Sequence, residues 1–339
     1  MSNIDISFVP LWLIVLIKSG IVLAVVITTF AYSMLFERKI MGWMQLRPGP
    51  NRVGPWGLLQ PAADAVKMMF KEDLTPETAD PLIYKLAPFI SLICAMGVFA
   101  VIPFSESPGG GLWGTGADVN AGILFVFAIG SIGVYGISLA GWSSGSKFPL
   151  LGSVRSTAQM ISYELAMTMS VIGVLILAGS TSLAVIVHAQ KSVWFIIPQI
   201  IGFIIYIITA VAETNRAPFD LVEAETELVG GFHTEYSGLR FGLFFIAEYL
   251  NMITVACIAT LLFLGGWNAP FGVLDGIIPG IIWFLAKAAL FLFFYIWLRT
   301  TLPRFRYDRL MDFGWKFLLP VSTLNLIITA AVIAYTSKG

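Results

Sequence analysis

"FGLFFIAEYLNMITVACIATLLFL", residues 241–264, is a run of 24 residues with one charged side chain, Glu248. Coiled as a helix it is about 36 Å long, enough to cross the roughly 30 Å hydrocarbon core of a bilayer. Lipid offers no partners to backbone N–H and C=O groups, so such a run crosses as a helix. Outward from it, further apolar runs bring the count to eight spans, near 10–35, 86–104, 120–141, 157–178, 194–212, 241–264, 279–300 and 318–336. The composition agrees: 58% hydrophobic and 12% charged, where soluble domains carry about a quarter charged residues. The fold class is an all-α polytopic membrane protein, with residues 1–339 forming one integral membrane domain. The N-terminal stretch lacks the basic flank and cleavage site of a secretory signal, so the first run reads as a retained span.

The bases orient the chain. Sixteen of the twenty Lys and Arg residues follow the first, third, fifth and seventh spans. By the positive-inside rule those four connections are cytoplasmic and both termini face outward. Zero net charge argues against nucleic acid as a partner.

Of the outward connections, the glycine-rich "SPGGGLWGTG" (107–116) has neither a preceding strand nor the spacing of a phosphate loop. Gly130, Gly133 and Gly136 in the third span read as sites of close helix contact. The first inward connection is dense in Arg, Gly and Pro, which demands defined turns. After it, residues 58–71 regain helical periodicity, with Asp64, Lys67 and Lys71 on one face. Fourteen residues rise about 21 Å, too short to span. An amphipathic helix lying in the inner interface is the reading, with packing on a partner protein as the alternative.

Glu164, Glu213 and Glu248 sit at similar depth near the inner ends of the fourth, fifth and sixth spans. An ionisable group inside a span is costly and a functional candidate; structural hydrogen bonding is the bland alternative. The connection from 213 to 240 adds Asp220, Glu223, Glu225, Glu227 and Glu235, threaded with Phe219, Leu221, Val222, Phe232 and Tyr236. Burial among apolar neighbours and mutual repulsion raise the proton affinity of such loop acids, and they titrate as a coupled set. A line of carboxylates from loop to spans reads as a proton relay, or as a store of charge that acts on a neighbouring subunit. Lys287 lies apart, and either pairs with a buried acid or snorkels outward.

Cys94 and Cys257 are too few for an iron–sulfur cluster, and His188 and His233 fall in connections on opposite sides, against haem ligation between spans. No cofactor is expected in this chain.

Five segments occur in order: "ERKIMGWMQLRPGPNRVGPWGLLQPAADAVKMMFKE" (37–72), "ISYELA" (161–166), "AETNRAPFDLVEAETELVGGFHTEYSG" (212–238), "FFIAEY" (244–249) and "LRTTLPRFRYDRLM" (298–311). Together they resemble the quinone-proximal H-subunit family of proton-pumping NADH:quinone oxidoreductase, respiratory complex I, over essentially the whole chain. The resemblance implies that the protein anchors the peripheral arm and forms the membrane end of a quinone tunnel. Arg38, Arg47, Arg299 and Arg304, with Asp64, are the implied tunnel residues. Glu164, Glu213 and Glu248, with Asp220, Glu223, Glu225, Glu227 and Glu235, are the implied coupling carboxylates. Quinone is the implied substrate. FMN and iron–sulfur clusters belong to partner subunits, and two peripheral-arm subunits, one with the terminal cluster, would complete the headgroup pocket. Antiporter-like and small membrane subunits are the other implied neighbours. The implied location is a bacterial plasma membrane, with the mitochondrial inner membrane as alternative. Three rival readings stand beside this one: a stand-alone cation/proton antiporter, a purely structural anchor, and the membrane component of a hydrogenase-type complex.

Overall fold

The computed structural model describes residues 11–105, 119–220, 229–270 and 278–336, and every regular element among them is helical. Seven helical stretches are long and apolar enough to cross a membrane, and one more is apolar but shorter. Helix α1 runs Leu11–Met44, nine residues past the boundary that hydropathy sets. Neither glycine nor proline occurs between Phe36 and Met41, so charge alone does not stop the helix. The stop comes at Arg47–Pro50, which folds back so closely that a Cβ on Gly42 would stand 2.9 Å from the Arg47 carbonyl oxygen.

Helix α2, Gln60–Phe70, carries proline in its first turn and buries no residue. Val66, Met69 and Phe70 are exposed on it. Asp80 caps α3, Pro81–Gly97, by accepting from the N–H groups of Leu82 and Ile83 at 3.2 and 3.5 Å. The start at residue 81, ahead of 86, follows from that cap and from Pro81 in the first turn. Helix α4 is Gly122–Ser143 and α5 is Lys147–Ala178. The latter begins ten residues before the expected span and stops at Gly179, which has φ 67°, the left-handed conformation that glycine adopts freely. A short α6, Leu183–Ala189, is an addition to the elements expected from the sequence.

The expected fifth span, 194–212, is a helix only over α7, Ile200–Glu213. Pro198 has no N–H to give, and the Ile196 N–H turns aside to the Phe263 carbonyl at 3.0 Å. Fourteen residues rise about 21 Å, so turns complete this crossing. Helix α8, Gly238–Phe263, is the hub: 72% of its apolar window is buried, against at most 50% in the others. Glu248 sits on this most buried helix, with its side chain 23% exposed. Helix α9 is Gly280–Thr301. The last crossing comprises α10 (Tyr307–Phe313), a π-turn (Gly314–Leu318) and α11 (Leu319–Thr336). It starts eleven residues before the hydropathic run at 318. Of the third-span glycines, Gly136 makes the close approach: a Cβ there would lie 2.8 Å from the Ser91 backbone nitrogen on α3.

Where α8 ends, Gln190 and Lys287 bond to the backbone of neighbouring segments. Gln190 donates to the carbonyls of Ile186 and Leu261 and accepts from the N–H groups of Phe195 and Gly265. Among the described residues Lys287 is held by carbonyls and not by an acid, and it is buried where snorkelling would expose it. Its Nζ donates to the carbonyls of Leu264, Gly266 and Asn268 at 2.6, 2.9 and 2.7 Å, and lies 4.5 Å from the Trp194 ring. The ammonium thereby caps the carbonyl end of α8. Lys287→Met would strand those carbonyls, a loss on the order of 3 kcal/mol. A lowered melting temperature with retained specific activity is expected from differential scanning fluorimetry of the purified assembly; an unchanged melting curve would refute the capping role.

Candidate functional site

Residues 22, 26, 30, 34 and 37 of α1 form one helical stripe, and along it Val26, Met34 and Glu37 are buried. This register turns Glu37, 2% exposed, into the bundle. Isolated there, a carboxylate would be very unfavourable. Its partners arrive from other elements. Asn215, with φ 51°, follows the last turn of α7, and the next residue is Arg216. The Nη1 of Arg216 donates to Glu37 Oε1 at 3.1 Å, its Nε lies 2.6 Å from Glu248 Oε1, and its guanidinium carbon sits 4.3 Å from the Tyr249 ring centroid. Arg299 on α9 also donates to Glu37. Two acids and two guanidiniums thus form a formally neutral group. Burial alone would favour loss of the Arg216 proton, but Glu248 and Glu37 outweigh it and hold its pKa above the usual arginine value.

Beyond Glu248 lies a cavity of about 90 Å³, lined in part by Ser91, Glu213, Asn215, Glu248, Asn251 and Thr254. Ser91 Oγ, Glu213 Oε2, Asn215 Oδ1 and Thr254 Oγ1 are buried and have no protein partner among the described residues. Buried polar atoms are almost always hydrogen-bonded, and the space admits several waters. On the cavity's α4 wall, a Cβ added to Gly130 would stand 4.0 Å from Glu213 Oε1, while the next residue, Ser131, donates to Glu164. Glu248 and Glu213 thus line one largely apolar cavity, and Glu164 is bonded to the α4 residue beside its wall.

The loop acids divide. Asp220, buried, is met by Arg304 Nη2 at 3.3 Å. Gln159 on α5 holds the segment before it, donating to the carbonyls of Ala212 and Phe219 at 2.8 and 2.9 Å. Glu223, Glu225 and Glu227 lie outside the described residues. Glu235 is at the returning end, where its carbonyl accepts from Tyr84 Oη at 2.7 Å. His233 packs edge-on against Phe232 and Phe241, and burial lowers its pKa to about 4 despite an opposing effect of Asp220. It is neutral at physiological pH.

Two clefts flank α2. One, about 650 Å³, is lined by Arg38, Arg47, Arg52 and Gln60 among others. The other, about 450 Å³, lies between α2 and residues 229–241. Arg38 borders both and is fixed by Asp64, with Nη1 to Oδ2 at 2.7 Å; Gln60 donates to the other Asp64 oxygen at 3.0 Å. Of the five residues read as tunnel residues, Arg38, Asp64 and Arg47 thus gather around α2, whereas Arg299 and Arg304 reach the buried acids.

Residues 17–330 match the NADH dehydrogenase family. The chain belongs to that family. It is 52% identical over 322 residues to an H subunit of NADH-quinone oxidoreductase from Symbiobacterium thermophilum, covering 95% of this chain and 97% of the relative. It is 52% identical to the corresponding NADH-quinone oxidoreductase protein of Deinococcus deserti, covering 97% and 87%, and 50% identical to that of Brevibacillus brevis, covering 96% and 94%. This member of the NADH dehydrogenase family is a multi-pass membrane protein and part of an enzyme complex.

Four residues of the family member's buried site escape sequence reasoning, and the first is Arg216, which counts in the sequence only among the bases that orient the chain. Glu37 falls outside a first span that hydropathy ends at residue 35; the apolar stripe continuing through Met34 is the signal for it. Ser131 hides between two glycines. Gln159 carries no signal, since its partners lie more than fifty positions away along the chain.

Proposed function

We propose that this chain forms the membrane end of the quinone tunnel in a proton-pumping NADH:quinone oxidoreductase, anchors the peripheral arm, and couples quinone reduction to proton translocation. The observation that carries the reading is the buried network of Arg299, Glu37, Arg216 and Glu248, with Glu248 and Glu213 lining one cavity and Glu164 bonded to Ser131 on its α4 side. The relatives' names supply the substrate class. The clefts beside α2, with exposed apolar residues on that helix, suit the mouth of a tunnel for a lipid-soluble quinone, and Arg38, Arg47 and Asp64 line it. FMN and the iron–sulfur clusters are held by partner subunits.

Reduction of the quinone draws protons and places negative charge near the inner connections. Arg304 and Arg299 respond to that charge, and their hold on Asp220 and Glu37 changes. The altered field passes through Arg216 to Glu248 and on to the cavity acids, with Glu223, Glu225, Glu227 and Glu235 belonging to the same coupled set. A change of one pKa unit corresponds to about 1.4 kcal/mol, so a few coupled sites transmit several kcal/mol to adjoining membrane subunits. The proposed setting is a bacterial plasma membrane with the basic connections on the cytoplasmic side.

The test is photolabelling of the intact complex in lipid with a long-chain quinone bearing a photoreactive group. Labelling of α2 and residues 38–52, displaced by substrate quinone, is expected. Failure to label this chain at all would overturn the tunnel reading.

A further inference from the structure

The segment leaving α2 is fastened to the first turn of α8. Ser237 Oγ donates to the Glu72 carbonyl at 3.0 Å and accepts the Leu74 N–H at 3.2 Å. Arg240 holds Asp73 through Nη2 at 2.9 Å and donates from Nη1 to Thr75 Oγ1, also at 2.9 Å. The two chain segments touch so closely that a Cβ on Gly238, whose φ is 56°, would lie 3.1 Å from the Lys71 carbonyl oxygen. A Cβ on Gly242 would lie 3.0 Å from Met68 Sδ.

The same guanidinium reaches a second limb. Its central carbon lies 5.4 Å from the Tyr84 ring centroid, and that ring stacks on Tyr236 at 4.1 Å with 6° between the planes. Tyr84 Oη donates to the Glu235 carbonyl and Tyr236 Oη to the Tyr84 carbonyl. Thus the end of α2 and the returning limb of the acidic connection share one anchor on α3 and α8. Both walls of the 450 Å³ cleft leave from it: Asp64, Lys67 and Met68 on one side, and Gly230, His233 and Thr234 on the other.

We propose that Arg240 is a positioning residue that sets the width of this cleft and thereby the affinity for the isoprenoid chain of the quinone. This rests on the reading of α2 as the tunnel mouth. Arg240 ties three elements through two charge-assisted hydrogen bonds and a ring face, a geometry that a planar fork supplies and a point charge does not. Without it the 71–75 strap and the 235–237 limb separate, and the cleft no longer closes on a threaded chain. A quinone with a short chain leaves its tail clear of this cleft and is unaffected.

Arg240→Gln and Arg240→Lys in the complete complex, reconstituted in liposomes, test this with a short-chain and a long-chain quinone. Arg240→Gln is expected to raise KM for the long-chain quinone by about fivefold, with kcat within about twofold and the short-chain KM unchanged; Arg240→Lys recovers part of the loss. A cysteine pair at Leu74 and Ser237, oxidised in the Arg240→Gln background, should restore the long-chain KM. Equal KM values in wild type and Arg240→Gln for both quinones would overturn the proposal, as would a parallel fall in kcat for both. A separate arm tests the mouth itself: a bulky maleimide on Phe70→Cys should inhibit turnover with the long-chain quinone. If it inhibits while Arg240→Gln is silent, the positioning role fails and the doorway stands; if it does not inhibit, the doorway fails first.

Discussion

An Arg216→Met variant is expected to lose most of its assembled complex, and with it quinone-linked turnover. The guanidinium is 5% exposed and serves two carboxylates at once. Methionine fills much of the volume but removes the cation that Glu248 and Glu37 share. Removing one partner of a buried ion pair costs about 3–5 kcal/mol, because the remaining charge stays buried. That is a large share of a typical folding free energy. Arg216→Lys is expected to rescue little, since one ammonium cannot reach both carboxylates and cover the Tyr249 face. Pairing Arg216→Met with Glu248→Gln should recover assembly in part, because the stranded charge is gone, while activity stays low. The abundance of intact complex on native gels and its melting temperature, arranged as a double-mutant cycle, give the coupling. Additive single effects, or a single variant as stable as wild type, would show that the network is not a unit.

Glu213→Gln and Glu248→Gln carry the second large effect. Glutamine keeps the shape and most hydrogen bonds but cannot release a proton. Loss of a positioned proton-transfer group costs about 10²–10⁴-fold in rate; for a relay with water in parallel, a fall of about tenfold or more in pumping-linked turnover is expected, with assembly retained. Glu213→Gln should be the cleaner of the two. Its Oε2 faces the cavity without a protein partner among the described residues, whereas Glu248→Gln also disturbs Arg216. Glu227→Gln, in the acidic connection, tests whether the relay extends into the loop. Quinone reductase rate and proton yield in liposomes are the measurements. Wild-type values for both in all three variants would leave the relay with no support.

The main lines of the architecture are readable from residue order. Long apolar runs must become helices in lipid, because nothing else satisfies their backbone, and Asp80 and Pro81 even announce where α3 starts. The neighbourhood of the span carboxylates is partly readable too: Glu213 and Glu248 line one cavity, and Glu164 is bonded to Ser131 on its α4 side. Boundaries are the weak point. Hydropathy ends a span where charges begin, but a helix ends only where a backbone hydrogen bond can no longer be made. For that reason Glu37 and Arg38 ride on α1, α5 begins at Lys147, and α7 is shortened by Pro198.

What the amino-acid order determined by itself was therefore local: helix content, the apolar runs that become long helices, and the short amphipathic α2. What only the tertiary structure decided was the pairing. Glu37 meets an arginine 179 residues away and another 262 away, and Lys287 finds three carbonyls. Such choices depend on the rotation and register of whole helices, which packing of small and large side chains sets. No single helix carries that information, since its own hydrogen bonds are satisfied at any rotation.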